Sequence, residues 1–207
     1  MSFRVNKLKK VGEHLEVFDH DEEMLILKTA KEYCPHYYPF VLTLFRTGLR
    51  EGEAVALMPT DLDVRSRYVV IERNFTAGQF LSDSPKSGKR REVDLAVDLV
   101  VVLKDHMALQ EAEAALTGRP RSKWLFNTPQ GHIIRSNNFR DRVWGPLLKK
   151  AGLRRRTIHA TRHTFATRLI MAGAPNLRAE TVRPLQHSNH RGLCTSIGLN
   201  EQNEAAR

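Results

Sequence analysis

Residues 38 to 50, "YPFVLTLFRTGLR", are nearly all apolar and long enough for a buried helix, and no other stretch constrains the fold as strongly. A helix without a polar face has to be enclosed by other elements, which the rest of the chain must supply. "DHDEEMLILKTAKEYC" offers Asp19 and Asp21 as caps and acidic residues in its first turn, which predicts a helix from about Glu22 to Tyr33, ended by Pro35. "EGEAVAL" predicts a short third helix stopped by Pro59. Arg50 therefore falls at the junction of two helices, where its side chain can project from a rigid base.

The pattern then changes period. "RYVVIERN", "GQFLSDS" and "REVDL" are short, β-branched or alternating, and separated by Gly, Asp and Ser, as expected of a small antiparallel sheet of about three strands. The "SPKSGKRR" turn between the last two is strongly basic. Helical pattern returns in "AVDLVVVLKDHMALQEAEAAL", "GRPRSKWLF" follows as loop and short strand, and "SNNFRDRVWGPLLKKAG" predicts a capped helix ending at Gly152. The expected fold class is mainly α with a small antiparallel β-sheet (α+β). A chain of 207 residues with 41% apolar content can bury one good core. The expected division is a basic N-terminal arm (1–16), one compact domain (17–175) and a polar tail (176–207) that has little helical period and is expected to stay largely disordered.

The net charge of +10 is concentrated in "RSKW", "KKAGLRRR" and "SGKRRE", and such clusters favour a polyanionic partner, nucleic acid before an anionic membrane. The basic start "MSFRVNKLKKVGEH" lacks the apolar stretch of a signal peptide, and no run approaches the ~18 apolar residues a membrane span requires. No membrane partner is expected. Cys34 and Cys194 are far apart and stand in no metal-binding spacing, which points to ordinary thiols in a reducing, cytoplasmic setting.

The segment "HATRHTFATRLIMAGAPN" (159–176) carries His159, Arg162 and His163 at i, i+3 and i+4, so all three share one helix face. A His-x-x-x-His pair fits zinc, but the glutamate that accompanies it in metalloproteases is replaced by Ala160 and Thr161, so no metal is expected. Two further segments join it: "RTGLREGEAVAL" offers Arg50 on a tight Gly48 turn, and "SPKSGKRREVDL" offers Lys86 on a hairpin. In this order the three resemble the tyrosine recombinases of the phage integrase family, over about residues 17 to 175. Glu53, "DL" after the third helix, "LF" before a Gly-containing turn and "RHTFAT" agree with the same pattern and are read as packing.

The resemblance implies the catalytic-domain fold of that family and site-specific recombination or integration of double-stranded DNA, by strand breaking and rejoining through a phosphotyrosine. It makes Arg50, Lys86, His159 and Arg162 the catalytic candidates, without metal or nucleotide cofactor, and other recombinase subunits possible partners. Two guanidiniums forking onto one phosphodiester would neutralise the charge that grows in a pentacovalent transition state, which planar Arg does better than Lys. Lys86 would protonate the departing 5′ oxygen, His159 would assist proton transfer near the attacking group, and His163 would pack the motif helix.

The family's nucleophilic tyrosine follows an "LGH" close to the C-terminus. Here the tyrosines are Tyr33, Tyr37, Tyr38 and Tyr68, all upstream of the motif helix. His187 and His190 fall near the family's third histidine, and Ser188, Thr195 and Ser196 are hydroxyls with no visible activating base. The genetic code offers a different explanation. Synonymous codons for Asn176 through Gly198 exist whose reading shifted by one base is "TYVQRLFGHSSIQTTVDYVHRLV", with a tyrosine nine residues beyond its histidine and a stop at the next triplet. An insertion or deletion near Ala174 to Asn176 would thus have replaced the nucleophile helix. The expectation is a domain truncated at both ends, without the helical arm-side domain, that keeps its phosphate clamp and is defective in cleavage. The alternatives are a non-catalytic DNA-binding accessory or mobile-element remnant, and an enzyme that receives its tyrosine in trans.

Overall fold

The computed structural model describes residues 16–76, 81–82 and 90–173. Lys86, the tail (176–207) and all but the last residue of the arm (1–16) lie outside the described residues.

The apolar segment forms α2 (Tyr38–Thr47) and is enclosed as its composition requires: Phe40, Val41, Leu42, Leu44 and Phe45 are each no more than 2% exposed. Around it pack α1 (His20–Tyr33), α4 (Val97–Thr117) and α7 (His159–Met171), with α3 (Glu51–Val55) following it in the chain. Aromatic rings fill the gaps edge to face, Phe40 against Phe126 (5.3 Å between centroids) and Phe139 (5.0 Å), and Phe45 against Phe18 (5.7 Å). The start of α1 is fixed by a reciprocal cap: Asp19 Oδ1 accepts from the Glu22 N–H (2.8 Å), and Glu22 Oε2 accepts from the Asp19 N–H (3.1 Å). The helix therefore begins at His20, two residues before the expected start, and Asp21 lies in the first turn instead of capping it.

The β region is split. Strands β1 (Leu62–Asp63), β2 (Tyr68–Ile71) and β5 (Arg91–Asp94) form an antiparallel sheet in the order β1-β2-β5, with Val69 opposite Val93, both buried. Strands β3 (Asn74–Phe75) and β4 (Leu81–Ser82) pair separately. The expected single sheet of about three strands is thus a three-stranded sheet plus a two-stranded ribbon. Where the chain passes from β2 to β3, both carboxylate oxygens of Asp61 hold Arg73 Nη2 and Glu72 holds its Nη1, which fastens the chain at the point where it leaves the first sheet.

Two other expectations are corrected. "GRPRSKWLF" contains no strand; Leu125 N–H instead donates to the Leu57 carbonyl (2.8 Å), and Asn127 makes a single bridge to Ile133. The helix expected from Ser136 to Gly152 is three pieces: α5 (Ser136–Phe139), a wide π turn (Arg140–Trp144) and α6 (Gly145–Lys150). Pro146 has no N–H to return to the preceding turn, and the helix widens just before it. Ser136 makes no capping bond, since Arg135 occupies that position. Gly152 does end the run, in a left-handed conformation (φ +70°). Among the described residues, no helix is long and apolar enough to cross a membrane.

Candidate functional site

Helix α2 stops because Gly48 turns left-handed (φ 60°), with its N–H bonded to the Leu44 carbonyl (3.1 Å). Leu49 is buried after it, and the extended Arg50 caps α3. Arg50 is fastened to Glu53 twice, by its backbone N–H to Oε2 and by Nη1 to Oε1, both at 3.0 Å. The Glu53 side chain is fully buried, and its Oε2 also accepts from Arg91 Nη2 on β5 (2.7 Å). Burial alone would raise the Glu53 carboxyl above its usual range, but the hydrogen bond and charge of Arg91, with the two hydrogen bonds from Arg50, outweigh it and hold the group below that range. The carboxylate is ionised and carries two cations.

Helix α7 brings the second expected arginine to the same turn. Arg162 Nη1 donates to the Gly48 carbonyl at 2.5 Å, joining positions 114 residues apart. The approach is close because Gly48 has no side chain: a Cβ there would lie 2.3 Å from the ring of Phe165, also on α7. Further bonds fix α7. Thr164 Oγ1 accepts from the Phe18 N–H (2.8 Å) and donates to the Ala160 carbonyl (2.9 Å). Arg168 Nη1 lies 2.5 Å from Glu23 Oε2, while Glu23 Oε1 accepts from Arg46, whose Nε reaches Asp98. One buried carboxylate on α1 thereby links α2, α4 and α7. The loop entering α7 is held by Arg156, bidentate to Glu22 at 2.6 and 2.7 Å and stacked over Phe18.

Of the expected site residues, Arg162 reaches the Gly48 carbonyl, two residues before Arg50 in the chain. His159 opens α7 on its exposed side, one helical turn before Arg162, with its ring edge-on to His163 at 4.7 Å. Lys86 lies outside the described residues; of its neighbours along the chain, β4 belongs to the ribbon and β5 to the sheet that carries Arg91. Among the described residues, no group of three His, Cys, Asp or Glu side chains could hold a metal.

Tyr33, Tyr37 and Tyr38 sit where α1 ends and α2 begins. The Gly48 turn is at the other end of α2, about 15 Å away for a ten-residue helix. Tyr68 is on β2, opposite Asp94. Two partners of the site fall outside the residues expected from the sequence. Glu53, expected only to pack, stands three residues after a helix cap, the position that reaches back to the cap. Arg91 lies in a strand where nothing in the neighbouring sequence marks it.

The chain matches the model of the phage integrase family over residues 16–191. It is 29% identical over 199 residues to a XerC-like tyrosine recombinase of Caldanaerobacter subterraneus, an alignment covering 87% of this chain and 49% of that protein. Its fold is similar to that of the Tn1549 transposon integrase in complex with transposon right end DNA, with a TM-score of 0.66 at 21% identity over 80% of this chain and 56% of that one. It is likewise similar to the lambda integrase catalytic core, with a TM-score of 0.60 at 14% identity over 80% and 90% of the two chains. The chain spans about half the length, or less, of the first curated relatives it matches.

Proposed function

Because the chain belongs to the phage integrase family, we propose that it is a recombinase catalytic domain that grips a single DNA phosphodiester between Arg50 and Arg162 and that does not cleave DNA on its own. The observation that carries the clamp is the bond from Arg162 to the Gly48 carbonyl, two residues from Arg50. Glu53 takes Nη1 of Arg50, and Gly48 takes Nη1 of Arg162, so each guanidinium is oriented by a fixed contact with the protein. In this reading both cations stabilise the transition state, Lys86 delivers a proton to the 5′ oxygen as it leaves, and His159 assists the proton transfer at the attacking oxygen. Duplex DNA is the substrate and binding is sensitive to salt.

The cleavage defect follows from the tyrosines. No residue after Tyr68 is a tyrosine. Tyr33, Tyr37 and Tyr38 lie at the far end of α2 from the Gly48 turn, and a serine or threonine hydroxyl without a base is a weak nucleophile. The shifted reading of the segment from Asn176 accounts for the loss, and codons incompatible with it in the gene would exclude it.

Duplex sites selected from a random pool by this protein, nicked so that a cleaved strand cannot be rejoined, test the proposal. The chain is expected to bind them and to leave no detergent-resistant adduct, whereas a chain carrying "TYVQRLFGHSSIQTTVDYVHRLV" in place of 176–198 is expected to form one. An adduct from the unaltered chain would show that a nucleophile is already present. Adduct formation only with a second, full-length recombinase would mean that the tyrosine arrives from another subunit.

A further inference from the structure

We infer that Arg91 is a positioning residue for the phosphate clamp, acting through the buried carboxylate of Glu53 to hold the Arg50 guanidinium in place. The inference rests on the assignment of Arg50 to phosphate binding. Glu53 divides its oxygens: Oε1 takes Arg50 Nη1, and Oε2 takes both the Arg50 N–H and Arg91 Nη2. With three donors arriving from two elements, the carboxylate has one orientation that satisfies all of them, and that orientation fixes the first guanidinium. Arg50 needs such an anchor. Its side chain is 35% exposed and long, and an unanchored arginine loses considerable rotamer freedom each time it meets a ligand.

Arg91 itself is badly placed to touch DNA. It is 12% exposed, and among the described residues its hydrogen bond goes to Glu53 while its Nη1 is buried without an acceptor. If β5 needed only packing against α3, an apolar side chain would serve better than a guanidinium with an unused donor. The contact between the helix and the β region is close at a second point. Gly52 on α3 lies so near the ribbon that a Cβ there would be 2.3 Å from the Phe75 carbonyl oxygen. Arg91 also lies five positions after Lys86, so the strand that leaves the lysine segment and the helix that presents Arg50 share one anchor.

A double-mutant cycle on duplex DNA affinity tests this, with Arg50→Ala, Arg91→Gln and the pair, and with thermal melting of each variant. Arg91→Gln is expected to weaken binding about tenfold, the size of one lost charge-assisted contact, and to have no further effect once Arg50 is alanine. Arg91→Lys keeps the ion pair and is expected to recover most of the affinity. Should Arg91→Gln fail to fold, the lysine variant carries the same cycle, with a smaller loss that again vanishes without Arg50. Losses that multiply would overturn the inference, because Arg91 would then act on DNA, or on the fold as a whole, independently of Arg50. An Arg50→Ala variant that binds like the parent would instead remove the clamp itself, and the coupling with it.

Discussion

Gly48→Ala is expected to destabilise the protein by about 2–4 kcal/mol and to weaken DNA binding beyond what the loss of fold explains. Two independent effects add. A non-glycine residue held left-handed costs about 1 kcal/mol, and forcing a methyl group into a filled site costs about 1–3 kcal/mol. The methyl would stand 2.3 Å from the Phe165 ring, so something has to move. The ring is carried by α7, and α7 is tied down by Thr164 to Phe18 and by Arg168 to Glu23, so retreat breaks other bonds. Retreat also pulls Arg162 from the Gly48 carbonyl, which is why binding should suffer more than stability. Urea unfolding measures the first effect and titration with labelled duplex the second. Adding Phe165→Leu should return part of the stability by making space, while the backbone strain remains.

Glu53→Ala is the other large loss, about 3 kcal/mol. Removing one partner from a buried ion pair leaves the opposite charge uncompensated at a cost of about 3–5 kcal/mol, and the lower end applies because Arg50 is about one-third exposed and can turn to water. Arg91, only 12% exposed, has less room to do so. Glu53→Gln keeps the shape and should cost less, but it removes the charge and with it a pH dependence. The carboxyl of Glu53 is held below its ordinary range, so the stability it contributes is fully present above the unfolded value, about 4.3, and is lost as pH falls through the folded one. Below about pH 4, stability of the parent should therefore drop more steeply than that of Glu53→Gln, a difference that acid unfolding followed by circular dichroism reads directly.

The parts of the molecule legible in the sequence are those in which neighbouring residues state the answer. Tyr38 to Thr47 is nearly all apolar and is enclosed; Asp19 reads as a helix cap and is one; Gly48 precedes Arg50 and turns left-handed. The segment from His159 has helical spacing and is a helix. What sequence did not disclose depends on charges brought together over long distances. Nothing near Arg73 says that Asp61 will capture it where the chain leaves the first sheet, and nothing near Arg91 says that it will share a carboxylate with Arg50. The π turn before Pro146 was hidden because its apolar residues keep a helical rhythm while the backbone bonds change partners.

The claim on which the rest depends is that Arg50 and Arg162 hold the same phosphate. The salt dependence of duplex binding tests it most directly, measured for the parent and for Arg50→Ala/Arg162→Ala from about 50 to 200 mM salt. One phosphate released from neutralisation should reduce the slope of log affinity against log salt by about one, with a large loss of affinity at every salt concentration. A slope smaller by about two would put the arginines on separate phosphates, and unchanged affinity and slope would mean that neither touches the backbone.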